Sequence, residues 1–141
     1  VVVEAAHVFT EDITIQGVNE LINTFNLTNL KVKLMKYHSD KTDELFHNWV
    51  RVWLSEQMMK WNMEKEMREI TCPVLAIQGT MDEYGTIEQI KEMEKHIPEL
   101  SSFIIQECGH VPHFEKQQVV LCETVKFVKK QIEHSANIDT E

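Results

Sequence analysis

The stretch CPVLAIQGTMD, residues 72–82, decides the fold of this chain. It is an apolar run that Pro73 opens and Gly79 closes, and such runs are typical of strands buried on both faces of a parallel sheet. A second strand-like run, SFIIQ at residues 102–106, leads directly into ECGH at residues 107–110. An acidic residue, Asp82, and a histidine, His110, therefore each follow a predicted strand.

Helical spacing dominates the chain before residue 72. Apolar residues recur every three or four positions, which predicts helices at about 11–26 and 29–37 and a longer third helix from about residue 44 to Met63. Beyond the first strand, a helix that ends at Pro98, the strand at 102–106 and a last helix at about 116–132 follow. This alternation predicts an α/β fold in which right-handed crossovers join parallel strands.

Asp82 and His110 are the candidate catalytic residues. Sites in open α/β sheets lie beyond the carboxyl ends of the strands, so both side chains are expected at one rim. An acid that accepts a hydrogen bond from one imidazole nitrogen leaves the other nitrogen able to deprotonate a nucleophile. We assign Asp82 as the orienting acid and His110 as the general base. Taken singly, Asp82 could be a turn aspartate and His110 an ordinary loop histidine.

Residues 72–82, together with CGHVPHFE at 108–115, resemble the acid strand and histidine loop of the α/β-hydrolase superfamily. The similarity is greatest to its capped, esterase-like and epoxide-hydrolase-like branch. It implies a core strand at residues 1–10, a helical cap at 11–69 and the C-terminal part of the α/β core at 70–133. The polar residues 134–141 are predicted to be a flexible tail.

The resemblance also implies a Ser-His-Asp type triad that includes Asp82 and His110. The 141 residues contain no Gly-x-Ser-x-Gly, the motif that carries the nucleophile in this superfamily. We therefore expect the chain to be the C-terminal portion of a hydrolase and to be inactive alone. The alternative is a noncatalytic α/β interaction module or a degenerate hydrolase.

Three aromatic residues are candidates for binding substrate. Trp49 and Trp53 belong to an apolar set on the long predicted helix, which suits a small, apolar, ester-like substrate. His7 follows the first strand and could line the mouth of the site. Helix packing for the tryptophans and an ordinary loop position for His7 are the competing interpretations.

Composition excludes some partners. The formal net charge is -9, from 23 acidic and 14 basic residues, which disfavours nucleic acid and an anionic membrane surface. No apolar stretch approaches the roughly 20 residues that span a bilayer. Three cysteines without regular spacing favour a reducing compartment, so the expected location is the cytoplasm.

No cofactor or metal is predicted. Glu107, His110 and His113 could suggest metal ligands, but Gly109 and Pro112 prevent the helical spacing that places such ligands on one face.

The first residues, VVV, read as a buried strand at the very start of the chain. This position suggests that the natural protein begins earlier. A strand with an unpaired edge invites pairing with another chain, so we expect a possible homodimer through the exposed sheet edge.

Overall fold

The computed structural model describes residues 1–138 and divides the chain into two compact units. One unit comprises Val1–Val8 and the chain from Met63 onward, and the other comprises Phe9–Asn62. In chain order the elements are β1 (Val2–Glu4), α1 (Asp12–Leu27), α2 (Leu30–His38), a 3₁₀ turn (Ser39–Lys41), α3 (Thr42–Trp53), α4 (Glu56–Met59), α5 (Glu64–Met67), β2 (Val74–Gly79), α6 (Glu88–His96), β3 (Leu100–Ile105), α7 (Pro112–Glu115) and α8 (Gln117–Ile138).

The first unit, which we call the sheet unit, contains a three-stranded sheet in the order β1-β2-β3. Both strand pairs are parallel, with Val2 opposite Leu75 and Val74 opposite Leu100. The predicted α/β fold class with parallel strands and flanking helices is therefore confirmed. β1 lies at an edge of the described sheet, and dimerisation through that edge stays a prediction.

The middle strand, β2, carries the core of the sheet unit. All six of its residues are buried, as its uniformly apolar start predicts. Two of its side chains, Leu75 and Ile77, pack into a cluster with β3, α8 and the loop between them. The other buried members of this cluster are Ile105, Cys108, Val120 and Phe127.

The second unit, which we call the helical unit, consists of α1 to α4. Its centre is a stacked aromatic pair, Phe25 of α1 and Phe46 of α3, with ring centroids 3.8 Å apart and planes 5° from parallel. The hydroxyl of Thr10 donates to the carbonyl of Met58 at 2.6 Å. The aromatic contact joins the two longer helices, α1 and α3. The hydrogen bond joins the start of the unit to α4.

Three element boundaries differ from the predicted ones by more than two residues. β1 ends at Glu4, because Ala5 adopts a positive φ of 47° that an extended strand does not allow. The long third helix ends at Trp53, because Ser55 caps a new helix by accepting the N–H of Met58 at 3.2 Å. α8 extends to Ile138, six residues beyond its predicted end.

The compact helical unit is also shorter than the predicted cap at 11–69. Residues 63–69 group with the sheet unit, where Met67 is only 1% exposed and the N–H of Met63 donates to the carbonyl of Val8 at 2.9 Å. In the predicted tail, residues 134–138 are helical, whereas 139–141 lie outside the described residues. The role of the helical unit as a cap and the flexibility of the tail stay predictions.

Within residues 1–138, no helix has both the length and the apolar character that crossing a membrane requires.

Candidate active site

Asp82 and His110 contact each other at the carboxyl ends of β2 and β3. The Nδ1 atom of His110 lies 2.9 Å from Oδ2 and 3.0 Å from Oδ1 of Asp82. The Asp82 side chain is 1% exposed, whereas that of His110 is 32% exposed. The acid is thus enclosed in the protein, and the imidazole it binds remains accessible.

Three further donors fix the Asp82 carboxylate. Its Oδ2 accepts from Nε2 of Gln78 at 2.7 Å, and its Oδ1 accepts from the backbone N–H groups of Tyr84 at 2.8 Å and Gly85 at 3.2 Å. Because these groups can only donate, Asp82 must act as the acceptor and is stable as the anion. The Nδ1 atom of His110 therefore carries the hydrogen, which leaves the Nε2 lone pair available as a base.

The electrostatics agree with this assignment. Burial acts to raise the pKa of Asp82, but the hydrogen bond from His110 and those from the backbone of Tyr84 and Gly85 outweigh it, so the pKa lies below its usual value. The hydrogen bond to Asp82 raises the pKa of His110 above its ordinary value, although burial opposes it. The pair therefore favours an ionised acid beside a histidine that binds its proton more tightly than usual.

Backbone contacts hold the two loops that carry these residues. We call residues 79–85 and 106–111 the rim. The N–H of Met81 donates to the carbonyl of Cys108 at 2.8 Å, and the N–H of Glu107 donates to the hydroxyl of Thr80 at 3.1 Å. A Cβ added to Gly79 would lie 2.2 Å from the carbonyl oxygen of Cys108. Only glycine at this position lets the two loops approach so closely.

A second carboxylate, Glu115 of α7, binds the backbone on both sides of His110. Its Oε2 accepts from the N–H of Gly109 at 2.7 Å, and its Oε1 accepts from the N–H of Val111 at 3.2 Å. These bonds lower the pKa of Glu115 below its usual value. The ionised Glu115 carboxylate thus holds the backbone of the histidine loop through two hydrogen bonds.

Two more rings lie beside the imidazole. The ring of Tyr84 packs edge-on against His110 with centroids 4.8 Å apart, and the ring of His7 lies 5.8 Å from it. The N–H of Val8, the residue after His7, donates to Oε1 of the fully buried Gln89 at 2.7 Å. The structure therefore brings His7 next to the candidate base, while its contact with substrate stays a prediction.

Trp49 and Trp53 both lie on α3 in the helical unit. Their ring centroids are 6.1 Å apart, and Trp49 is 39% exposed. Trp49 lines an open apolar cavity of about 490 Å³ whose other walls come from α1, α2 and α3. The remaining lining residues are Leu21, Leu30, Leu34, His38, Thr42, Leu45 and Phe46. This cavity is apolar enough to hold a hydrocarbon group.

Sequence reasoning missed Gln78 and Glu115. A glutamine inside the apolar run of β2, four residues before the acid, was the available signal for Gln78, because a buried amide needs partners. The signal for Glu115 was weaker, since an acid five residues after a histidine has many possible positions. Tyr84 and Gly85 lie in the turn after the acid, and their N–H groups hold the Asp82 carboxylate.

Residues that could bind a metal ion occur near His110 and on α5 and α6. His113 does not join His110 in a ligand set, because both its backbone N–H and its Nδ1 bind the Glu4 carboxylate at 3.1 Å. Among the described residues, Glu64, Glu92 and His96 have ligand atoms within 4.8 Å of one another. Lys95 binds Glu92 at 2.5 Å, and this positive charge disfavours a cation there.

Two proteins of known activity match part of the chain. The "(R)-3-hydroxydecanoyl-ACP:CoA transacylase" of Pseudomonas putida is 31% identical over 75 residues, which are 51% of this chain and 25% of that protein. "Bifunctional epoxide hydrolase 2" of Rattus norvegicus is 32% identical over 87 residues, which are 62% of this chain and 15% of that protein. No protein-family profile matches the chain.

Solved structures match nearly all of it. A serine hydrolase involved in carbazole degradation superimposes with a TM-score of 0.64 at 20% identity, covering 91% of this chain and 53% of that chain. At this identity the likeness shows a shared fold. The chain thus spans about half the length of the solved structure and a quarter or less of the two relatives.

Proposed function

We propose that this chain, whose fold is the C-terminal part of an α/β-hydrolase, supplies the acid and the base of a Ser-His-Asp type triad. Asp82 is the acid and His110 the base, and the nucleophile lies on a segment outside these 141 residues. The observation that carries the proposal is the contact of both Asp82 oxygens with Nδ1 of His110, at 2.9 and 3.0 Å. The proposed reaction is hydrolysis of a small, apolar, ester-like substrate.

In this mechanism Nε2 of His110 takes the proton of the nucleophile's hydroxyl as the oxygen attacks the ester carbonyl. Asp82 holds the ring in the reactive tautomer and stabilises the imidazolium that forms. His110 then gives the proton to the departing alcohol. In the second half, His110 takes a proton from water, the hydroxide attacks the acyl group, and the proton returns to the nucleophile. The sum is ester and water converted to acid and alcohol.

The substrate class is proposed from the apolar surface of α3 and from His7. The cavity that Trp49 lines is apolar, and the ring of Trp53 lies 6.1 Å from that of Trp49, which supports an apolar acyl or alcohol group as the ligand. His7 is proposed to contact the substrate because its ring lies 5.8 Å from that of His110.

A second candidate reaction is acyl transfer. The similarity to the transacylase from Pseudomonas putida favours it, because the same acid and base could activate a thiol instead of water in the second half. Measuring the products of a thioester substrate with and without an added acceptor thiol separates the two. Free acid as the sole product supports hydrolysis, and a new thioester supports transfer.

The test uses the complete protein that contains this chain and a series of uncharged esters. We expect His110→Ala and Asp82→Asn to lower kcat by about 10⁴-fold, because each removes the base or its reactive tautomer. The matched control is His113→Ala, which removes a histidine of the same segment that binds Glu4 instead, and should keep kcat within about threefold. Unchanged kcat in the first two variants would overturn the triad and favour the noncatalytic module. A preference for charged substrates would overturn the substrate class.

A further inference from the structure

The loop that carries His110 depends on one exposed carboxylate. Glu115 accepts the N–H of Gly109 at 2.7 Å and the N–H of Val111 at 3.2 Å, one on each side of the histidine. Each oxygen of the carboxylate accepts from one N–H, so the two bonds use both oxygens of the glutamate side chain. The backbone on either side of His110 is thereby tied to a single side chain.

Capping of a helix explains only half of this arrangement. Val111 is the residue before α7, so its bond to Glu115 belongs to the start of that four-residue helix. The shorter bond goes to Gly109, which lies outside the helix and before the histidine. Its effect is to close residues 109–115 into a ring of hydrogen bonds with His110 inside.

We propose that Glu115 is a positioning residue, which fixes the orientation of the His110 backbone toward Asp82 by holding the N–H groups on both sides of it. The proposal rests on the proposed function for its effect on catalysis. Its structural half concerns the loop alone. Glu115 acts through the backbone and is not itself a catalytic residue.

The charged and titratable groups around His110 offer a matched control. Asp82 and Glu83 face it from the loop after β2, Glu115 from α7, and His7 and Tyr84 from the remaining sides. Glu83 and Glu115 both act through their charge to raise the pKa of His110. Oxygens of both carboxylates lie within 3.3 Å of the point where a Cβ on Gly109 would stand. Of these two carboxylates, Glu115 alone forms hydrogen bonds with the backbone of residues 109–111 in the described part of the chain.

The first experiment measures hydrogen exchange and NMR signals of the histidine loop in this chain, and it needs no enzymatic assay. Glu115→Ala should speed hydrogen exchange at the N–H groups of Gly109 and Val111 by at least about tenfold, since both lose their acceptor. It should also weaken the low-field NMR signal of the His110 Nδ1 proton. Glu83→Ala removes an equal charge and should leave both measurements unchanged. Because Glu115 is exposed, its replacement is not expected to unfold the chain, which circular dichroism checks.

The second experiment measures kinetics in the complete protein. Glu115→Ala should lower kcat by about 10- to 100-fold with KM within about twofold, because a slightly misplaced base affects the transition state more than binding. Glu115→Gln, which keeps one acceptor oxygen, should recover part of that loss. At a pH above the His110 pKa, where its protonation does not limit the rate, Glu83→Ala should keep kcat within about twofold.

The outcomes separate the two proposals. Equal exchange rates in the Glu115→Ala and Glu83→Ala variants would overturn the positioning role whatever the activity. Faster exchange with unchanged kcat in an active enzyme would also overturn it. Faster exchange in a complete protein for which His110→Ala has no effect would support the structural half and overturn the proposed function instead.

Discussion

The rim and the helical unit are held in different ways. At the rim, hydrogen bonds fix the polar side chains, and the Asp82 carboxylate accepts from the side chains of Gln78 and His110 and from the backbone N–H groups of Tyr84 and Gly85. In the helical unit the central contact is apolar, the stacked pair Phe25 and Phe46. The difference teaches that each region tolerates different changes. Directional bonds tie the rim to particular side chains, whereas a packed aromatic pair is sensitive mainly to volume.

The two regions also present different surfaces. The rim encloses Asp82 and exposes His110, an arrangement that a proton transfer through His110 would need. α3 buries Phe46 on one side and leaves Trp49, Leu45 and Val52 exposed on others. An exposed apolar surface of this kind suits contact with an apolar ligand or another surface.

The largest expected effect is on the helical unit. Phe46→Ala should lower the free energy of unfolding by about 3–5 kcal/mol, because the ring is 8% exposed and its removal leaves a cavity beside Phe25. Trp49→Ala, at a ring that is 39% exposed, should cost about 1 kcal/mol or less. Urea unfolding with hydrogen exchange at α1 and α3 measures both.

The contrast with the rim predicts what Phe46→Ala leaves intact. The partners of Asp82 and His110 given above all belong to the sheet unit, so the NMR signals of His110 should not shift in this variant. A shift as large as that in Asp82→Asn would show that the hydrogen bonds of the rim depend on the packing of the helical unit.

An intermediate effect is expected at Gly79. Gly79→Ala should cost about 1–3 kcal/mol and displace the histidine loop, because the new methyl group would meet the carbonyl oxygens of Cys108 and Gly109 at 2.2 and 2.5 Å. Gly85→Ala is the matched control. Its nearest neighbour is a side-chain atom, Cε1 of His7, at 3.2 Å, and the cost should be about 1 kcal/mol or less.

Gly79 and Gly85 are informative together because no glycine among the described residues has a positive φ. Backbone strain therefore does not explain a difference between the two variants. Equal losses of stability, or an unchanged His110 signal in Gly79→Ala, would contradict the close approach of the loops at the rim.

Sequence reasoning predicted the rim better than the helical unit, for physical reasons. The strand β2 is easily predicted because burial on both faces requires a continuous apolar run. The contact of Asp82 with His110 could be predicted because both residues follow parallel strands, whose carboxyl ends meet at one edge of the sheet. The break after Trp53 was missed because apolar spacing continues through Met59 and Met63. A local cap at Ser55, which spacing does not register, interrupts the helix there.

The supporting residues could not be predicted in the same way. Gln78 and Glu115 act through tertiary contacts, and a single sequence gives no measure of distance between a strand, a turn and a short helix. Ala5 ends β1 because it adopts a positive φ. The β-branched residues that precede it predict a strand and give no sign of this turn. The sequence thus predicts candidate groups for the chemistry, whereas the structure supplies the groups that hold them.

The smallest expected effect concerns pH, and it separates what stabilises the rim from what would make it active. The contact with Asp82 raises the pKa of His110 in the folded chain. The stabilisation of the fold by this contact is therefore complete below about pH 6.5, the ordinary pKa of histidine, and is lost as the pH rises through the pKa of His110 in the folded chain. The pKa of Asp82 is lowered, so its contribution is present above about pH 3.9 and is lost as pH falls through the folded value.

A general base has the opposite requirement, because His110 must be neutral to take a proton. The rim should therefore be most stable on the acid side of the His110 pKa, whereas kcat of the complete protein should rise on the alkaline side. In Asp82→Asn, NMR titration of this chain should show a lower pKa for His110, and the stability should fall less between pH 6 and 8 than in the unmodified chain. His113→Ala is the control, since its partner is Glu4. An unchanged His110 titration in Asp82→Asn would mean that the pair does not interact in solution, and the rim would then lose the feature that distinguishes it from the helical unit.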